Sequence, residues 1–128
     1  MTPEAAAALE KLRAAALALP EADEKLSHGM PAFFITKGKM FAYFWYHHHG
    51  DDVTAAIVKT SGTEEQAMLI EMEPELYYRP PYFGVAGWVG MHLVRPDTDW
   101  DRVAARVAIS WALIAPRRLL EVGGREVV

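Results

Sequence analysis

Three consecutive histidines, His47, His48 and His49, close the aromatic run FAYFWY and precede the turn residues GDD. On an extended strand His47 and His49 share one face while His48 points the other way. Such a pair offers two imidazole ligands, and His28, His92, Asp51 or Asp52 have the chemistry to complete a site. Zinc asks for three or four nitrogen or oxygen ligands converging at about 2.0–2.2 Å. A strand pair assures only two of them. The same run reads more readily as the polar tip of a β-hairpin, where aromatic burial gives way to solvent. His47 and His49 therefore stand as the candidate metal ligands, and no cofactor is assigned.

Nucleophilic chemistry finds less material. Ser27-His28 and Ser110 have no acid–base partner at a recognisable spacing, and no G-x-S-x-G turn is present. Lys37-Gly38-Lys39 is not a phosphate-binding P-loop, because the order G-x-x-x-x-G-K-[ST] is absent. Asp51 and Asp52 are adjacent and would diverge on an extended chain. No catalytic residue is nominated, and the reading leans away from an enzyme.

Binding chemistry is better supplied. Lys37 and Lys39 flank Gly38 at what reads as a hairpin tip, with Lys59, Arg79 and Arg95 near other strand or loop ends and Arg117-Arg118 after Pro116. Such cations hold phosphate oxygens of double-stranded DNA and give an affinity that falls with salt. Lysines at hairpin tips also simply stay solvated and discourage edge pairing. A second reading uses aromatic side chains: Trp45, Tyr82 and Trp88, with His92, could line a ligand groove, bury in a homodimer or meet a protein partner.

Bulk composition frames both readings. The chain has 128 residues, 52% hydrophobic and 23% charged, with a net charge of −4 and no cysteine. Those numbers favour one domain with one real core, residues 1–128. Disulfides, thiolate nucleophiles and sulfur-ligated metals are excluded. No apolar stretch reaches the length that spans a bilayer, and the alanine-rich start carries Glu4, Glu10, Lys11 and Arg13, so it is not an export signal. A cytoplasmic protein without a membrane partner is expected, ordered except at its GGREVV end.

The elements that must position these residues follow from pattern. Thr2-Pro3-Glu4 opens a helix that Pro20 ends, with Leu9, Leu12, Ala16 and Leu19 along one stripe. Residues 24–28 make an edge strand; 32–36, 40–48 and 53–60 form a meander joined by tight turns. In the central strand Phe41, Tyr43 and Trp45 alternate with Ala42, Phe44 and Tyr46, so both faces are apolar. Thr63 and Gln66 fit a capping box for a helix over 64–72, with Ala67, Met68 and Met72 turned inward. Residues 77–87 read as a proline-rich loop, 87–94 as a strand, and 99–115 as a helix capped by Thr98, whose inner face is Trp100, Val103, Val107, Ser110, Trp111 and Ile114. The class is α+β: an antiparallel meander sheet with helices packed on one face.

In this order the residues resemble a known family. The stretches ALALPEADEKLSHGMPAFFITKGKMFAYF, EEQAMLIEMEPELYYRPPYFGVAGWVGMHL and ISWALIAPRRLLEV are similar to those of the MmcQ/YjbR-like family, small bacterial proteins labelled DNA-binding on structural grounds. The resemblance implies a frataxin-like or double-wing α+β fold and a DNA-binding role. It transfers no catalytic residue, and the histidine run lies outside its pattern. A structure with Lys37, Lys39, Lys59 and Arg95 on one positive face would favour DNA. An enclosed aromatic pocket, or a two-fold interface on Trp45 and Trp88, would favour the second reading.

Overall fold

Thr2 caps the first helix as expected: its Oγ1 accepts the Ala5 N–H at 3.1 Å, and Pro3 fills the first turn, where a missing N–H costs nothing. The structure is a computed structural model that describes residues 1–121, apart from the His49 side chain; the GGREVV end lies outside the described residues. Helix α1 (Pro3–Leu17) is followed by β1 (Ala22–Ser27), β2 (Met30–Ile35), β3 (Met40–Tyr46) and β4 (Thr54–Val58). Then come α2 (Thr63–Met72), β5 (Tyr77–Tyr78), β6 (Val89–His92) and α3 (Trp100–Ile114). The strands form one six-stranded antiparallel sheet in the order β1-β2-β3-β4-β6-β5. Among the described residues no helix is long and apolar enough to cross a membrane.

Strand alternation divides the sheet into two unequal faces. Phe33, Ile35, Phe44, Ala56, Val58, Val89 and Met91 meet Leu9 and Leu12 of α1, Leu69 of α2 and Val103, Val107 and Trp111 of α3. Each such side chain removed from water contributes about 1.5–3 kcal/mol, so this face carries the core. The opposite face holds a smaller cluster, Met30, Trp45, Ala55 and Ile57, flanked by Tyr43, Tyr78, Phe83 and Trp88. No helix covers it. The loop between β5 and β6 folds over part of it instead.

Several local expectations are corrected by packing. The β2–β3 register shifts between Phe33 (paired with Ala42) and Phe34 (paired with Met40), so Phe41 is an extra residue and is buried with Ala42 on the helix side. Alternation alone had put Phe41 with Tyr43 and Trp45. One step beyond the Ala42–Val58 pair, the Ser110 hydroxyl of α3 bridges Phe41 and Lys59: it donates to Phe41 O and accepts from Lys59 N at 2.8 Å.

Helix α2 begins after Gly62 with no side-chain cap, so the capping box does not form. Gln66 is buried and donates from Nε2 to Gly84 O at 2.9 Å and Trp88 O at 2.7 Å. Two loop carbonyls away from water outweigh one solvated cap. That rotation turns Gln66 and Leu69 inward and leaves Met68 and Met72 exposed. Asp99 rather than Thr98 caps α3, accepting from Arg102 N at 3.1 Å, while Thr98 Oγ1 donates to Leu93 O at 2.8 Å. Arg106, absent from the apolar stripe, is buried on α3 with its Nη2 3.6 Å from Glu65 of α2.

Candidate functional site

The β2–β3 turn is tight because Gly38 N–H donates to Ile35 O at 2.6 Å and Ile35 N–H to Lys39 O at 3.1 Å. Lys37 holds a left-handed φ of 63°, and both Lys37 and Lys39 project into solvent. Lys59 leaves β4 beside them, since Ala42 pairs with Val58 at the same end of the sheet. Its Nζ lies 5.8 Å from the centroid of the Trp88 ring. Arg79 also departs at this end, because Tyr78 pairs with Gly90 and the next step leads toward Trp88. Its stem lies along Gly84, where even a Cβ would come within 2.5 Å of Arg79 Cγ.

Arg95 lies elsewhere. It follows β6 at the opposite end of the sheet, 3.7 Å from Asp97, and lines a hollow of about 610 Å³ with Glu73, Asp97 and Asp99. The condition of one positive face joining Lys37, Lys39, Lys59 and Arg95 is therefore not met, because antiparallel β4 and β6 send Lys59 and Arg95 off opposite ends.

Ion pairing separates the two sets further. Arg13, Arg95, Arg102, Arg106, Arg117 and Arg118 each face a carboxylate. Among the described residues no such ion pair involves Lys37, Lys39, Lys59 or Arg79. Lys39 and Lys59 line a hollow of about 480 Å³ with Met40, Tyr43, Trp88 and the end of α3, and among the described residues no carboxylate is in its wall. Beside it, Arg118 and Glu21 pair at 2.6 Å, which lowers the Glu21 pKa and raises that of Arg118.

A second hollow, about 560 Å³, opens on the helix-free face between Met30, Met40, Tyr43, Trp45, Tyr82 and Phe83, with Ser27, His28 and His48 at its rim. Tyr43, Phe83 and Trp88 form a triangle of tilted rings with centroids 4.7, 5.7 and 5.8 Å apart. Burial raises the Tyr43 pKa, keeping its phenol protonated. Tyr82 is 77% exposed and takes a φ of +67°, held there by a loop whose Gly84 and Trp88 carbonyls Gln66 grips. Trp45 is different: it is 1% exposed and donates its indole N–H to Asp51 Oδ2 at 2.8 Å, so it forms the floor rather than an open platform.

His92 stacks on Tyr78 with centroids 4.7 Å apart, and Tyr78 lies over Gly90. Burial, followed by the charge of Arg95, lowers the His92 pKa. Trp88 and His92 sit at opposite ends of β6, about 13 Å apart at strand rise. They do not share one hollow.

The histidine run is not extended. β3 ends at Tyr46, His47 turns with φ 46°, and His48–Gly50 form a single 3-10 turn. The alternation that placed His47 and His49 on one face does not apply. His47 stacks on Tyr46 at 4.1 Å and His48 meets Trp45 edge-on at 5.0 Å; the His49 side chain lies outside the described residues. Among the described residues no three His, Asp or Glu side chains gather as a metal site.

Nothing in the sequence pointed to Phe83 and Met30 at this site, nor to the roles that Gln66 and Ser110 take in bracing the loop and bridging the strands. Tyr43 was signalled by its alternation with Trp45. Phe83 had no signal, since only the folded loop brings it over the sheet.

Comparison with known proteins gives two findings. Residues 17–113 match the YjbR family model. The solved structure of Deinococcus radiodurans protein DR2400, which carries a DUF419 domain, superposes with a TM-score of 0.66 at 16% identity, covering 82% of this chain and 76% of that one. At that identity the likeness is one of fold. No curated protein matches the chain.

Proposed function

The chain belongs to the YjbR family, and from that premise we propose that it is a non-enzymatic nucleic-acid-binding module that holds phosphates at one end of its sheet. One observation carries the reading. Lys37, Lys39 and Lys59 leave the end where β2 meets β3 and β4 meets β6, Arg79 leaves the same end after the edge strand β5, and Lys39 and Lys59 line a hollow with no carboxylate of the described residues in its wall. Ammonium groups not engaged with carboxylates can release condensed counterions from a phosphate backbone, which is the source of affinity for a polyanion. Arg95 has no part in this, being paired to Asp97 at the far end.

The net charge of −4 does not oppose it, because Glu24, Glu65 and Glu73 face arginines elsewhere and Glu21, the acid beside the lysines, is paired to Arg118. With four cations available, the slope of log affinity against log salt reaches about −3.6 on duplex DNA, so raising salt from 50 to 200 mM weakens binding roughly 150-fold. Fluorescence anisotropy of a labelled mixed-sequence duplex at those two salts tests the reading. Lys37→Ala/Lys39→Ala should weaken binding and flatten the slope by about 1.8. Absence of binding even at low salt, or a double variant that binds like the parent, refutes it. A second reading, a small-molecule or protein-interaction domain that in some settings dimerises, is favoured by the apolar hollow of about 560 Å³ on the uncovered face. Duplex-independent binding of a planar ligand at that hollow would support it.

A further inference from the structure

The cationic end and the aromatic hollow are not separate features: Met40 and Tyr43 line both. A chain of phosphates held by Lys39 and Lys59 therefore runs directly past the mouth of an apolar groove. Its partly open aromatic walls are Tyr43, Tyr82 and Phe83. A base inside a duplex has both faces covered by its neighbours and cannot lie against such a wall. An unpaired base can, and every base offers a π face.

Three further features fit this occupant. Among the described residues no carboxylate lines the groove, and the one behind its floor, Asp51, is engaged by the Trp45 indole N–H. Two hydrogen bonds from Gln66 brace the loop bearing Tyr82 and Phe83, so the wall is set before a ligand arrives. His28 stands at the rim on the β1–β2 turn, where its imidazole can reach a base edge.

We propose that the groove takes an unpaired nucleobase, so that the polymer recognised at the lysine-bearing end is single-stranded DNA. This rests on the phosphate-binding reading above and narrows it. Tyr82 and Phe83 act as the stacking wall, Tyr43 joins groove to cations, and Lys39 and Lys59 receive the flanking phosphates.

The test is anisotropy at low salt with three labelled probes of equal length: a mixed-sequence single strand, its duplex, and a strand in which abasic sugars replace the central nucleotides. The intact single strand should bind about tenfold tighter than either other probe, which corresponds to one stacked base. Tyr82→Ala should remove most of that preference. Phe83→Leu, which keeps an apolar side chain in the loop, should weaken the single strand without unfolding the chain. Equal affinity for single strand and duplex, or for intact and abasic strands, overturns the base-stacking proposal and leaves the phosphate reading standing. Failure of all three probes to bind overturns both.

Discussion

Ser110 offers the sharpest test of how the lysine-bearing end is built. It is fully buried on α3, and its hydroxyl is the shared partner of the Phe41 carbonyl and the Lys59 N–H, at 2.8 Å from the latter. Phe41 and Lys59 stand opposite one another one step beyond the Ala42–Val58 pair of β3 and β4, and the hydroxyl bridges them. Ser110→Ala removes the hydroxyl and leaves a buried acceptor and a part-buried donor unsatisfied. Each orphan costs about 1–3 kcal/mol, so the pair amounts to about 2–6 kcal/mol. Better helix propensity of alanine returns roughly 0.5 kcal/mol. The net loss is a large fraction of the stability of a small domain and should lower Tm by about 10 °C. Urea unfolding followed by tryptophan fluorescence and circular dichroism reads it directly, with the midpoint falling and the slope unchanged. The Lys59 amide should also exchange faster with solvent deuterium. A loss below about 0.5 kcal/mol, typical of surface substitutions, would refute the bridging role.

Two further outcomes follow from the other end of the sheet. In Gly90→Ala the new Cβ would lie 2.2 Å from the Tyr78 ring, so the ring must leave its stack with His92; a cost of about 1–3 kcal/mol is expected in thermal unfolding, and a neutral variant would show that the ring packs elsewhere. His92 supplies a pH dependence whose sign is set by its lowered pKa: the unfolded chain takes up the proton first, so stability present above about pH 6.5 is lost on acidification. Comparing urea midpoints at pH 7.5 and 5.5, His92→Gln should show the smaller drop, and an equal drop in both proteins would sink the assignment.

Much of the fold was legible in local chemistry. The Thr2–Pro3 start of α1, the tight Lys37–Lys39 turn, the meander and the α3 stripe all follow from caps, turn residues and periodicity, which act over a few neighbouring positions. The positions that misled were those where a distant group competes with a local one. Gln66 fits a capping box by spacing, yet two carbonyls of the β5–β6 loop claim its amide. The histidine run reads as strand by continuation, yet His47 turns into the left-handed region and the extended chain stops at Tyr46.

The candidate site divides the same way. Sequence by itself determined which residues carry charge or aromatic surface, the antiparallel α+β class, and the absence of thiol chemistry, because these depend on side-chain type and short-range order. Only the tertiary structure decided that Lys39, Lys59 and Trp88 meet Tyr43 while Arg95 does not, that Phe41 turns to the helices, and that Phe83 closes over the sheet. The reason is geometric: strand register and a single-residue bulge set which end and which face a side chain occupies. Register is settled by burial summed across the whole sheet, not by any local run of residues.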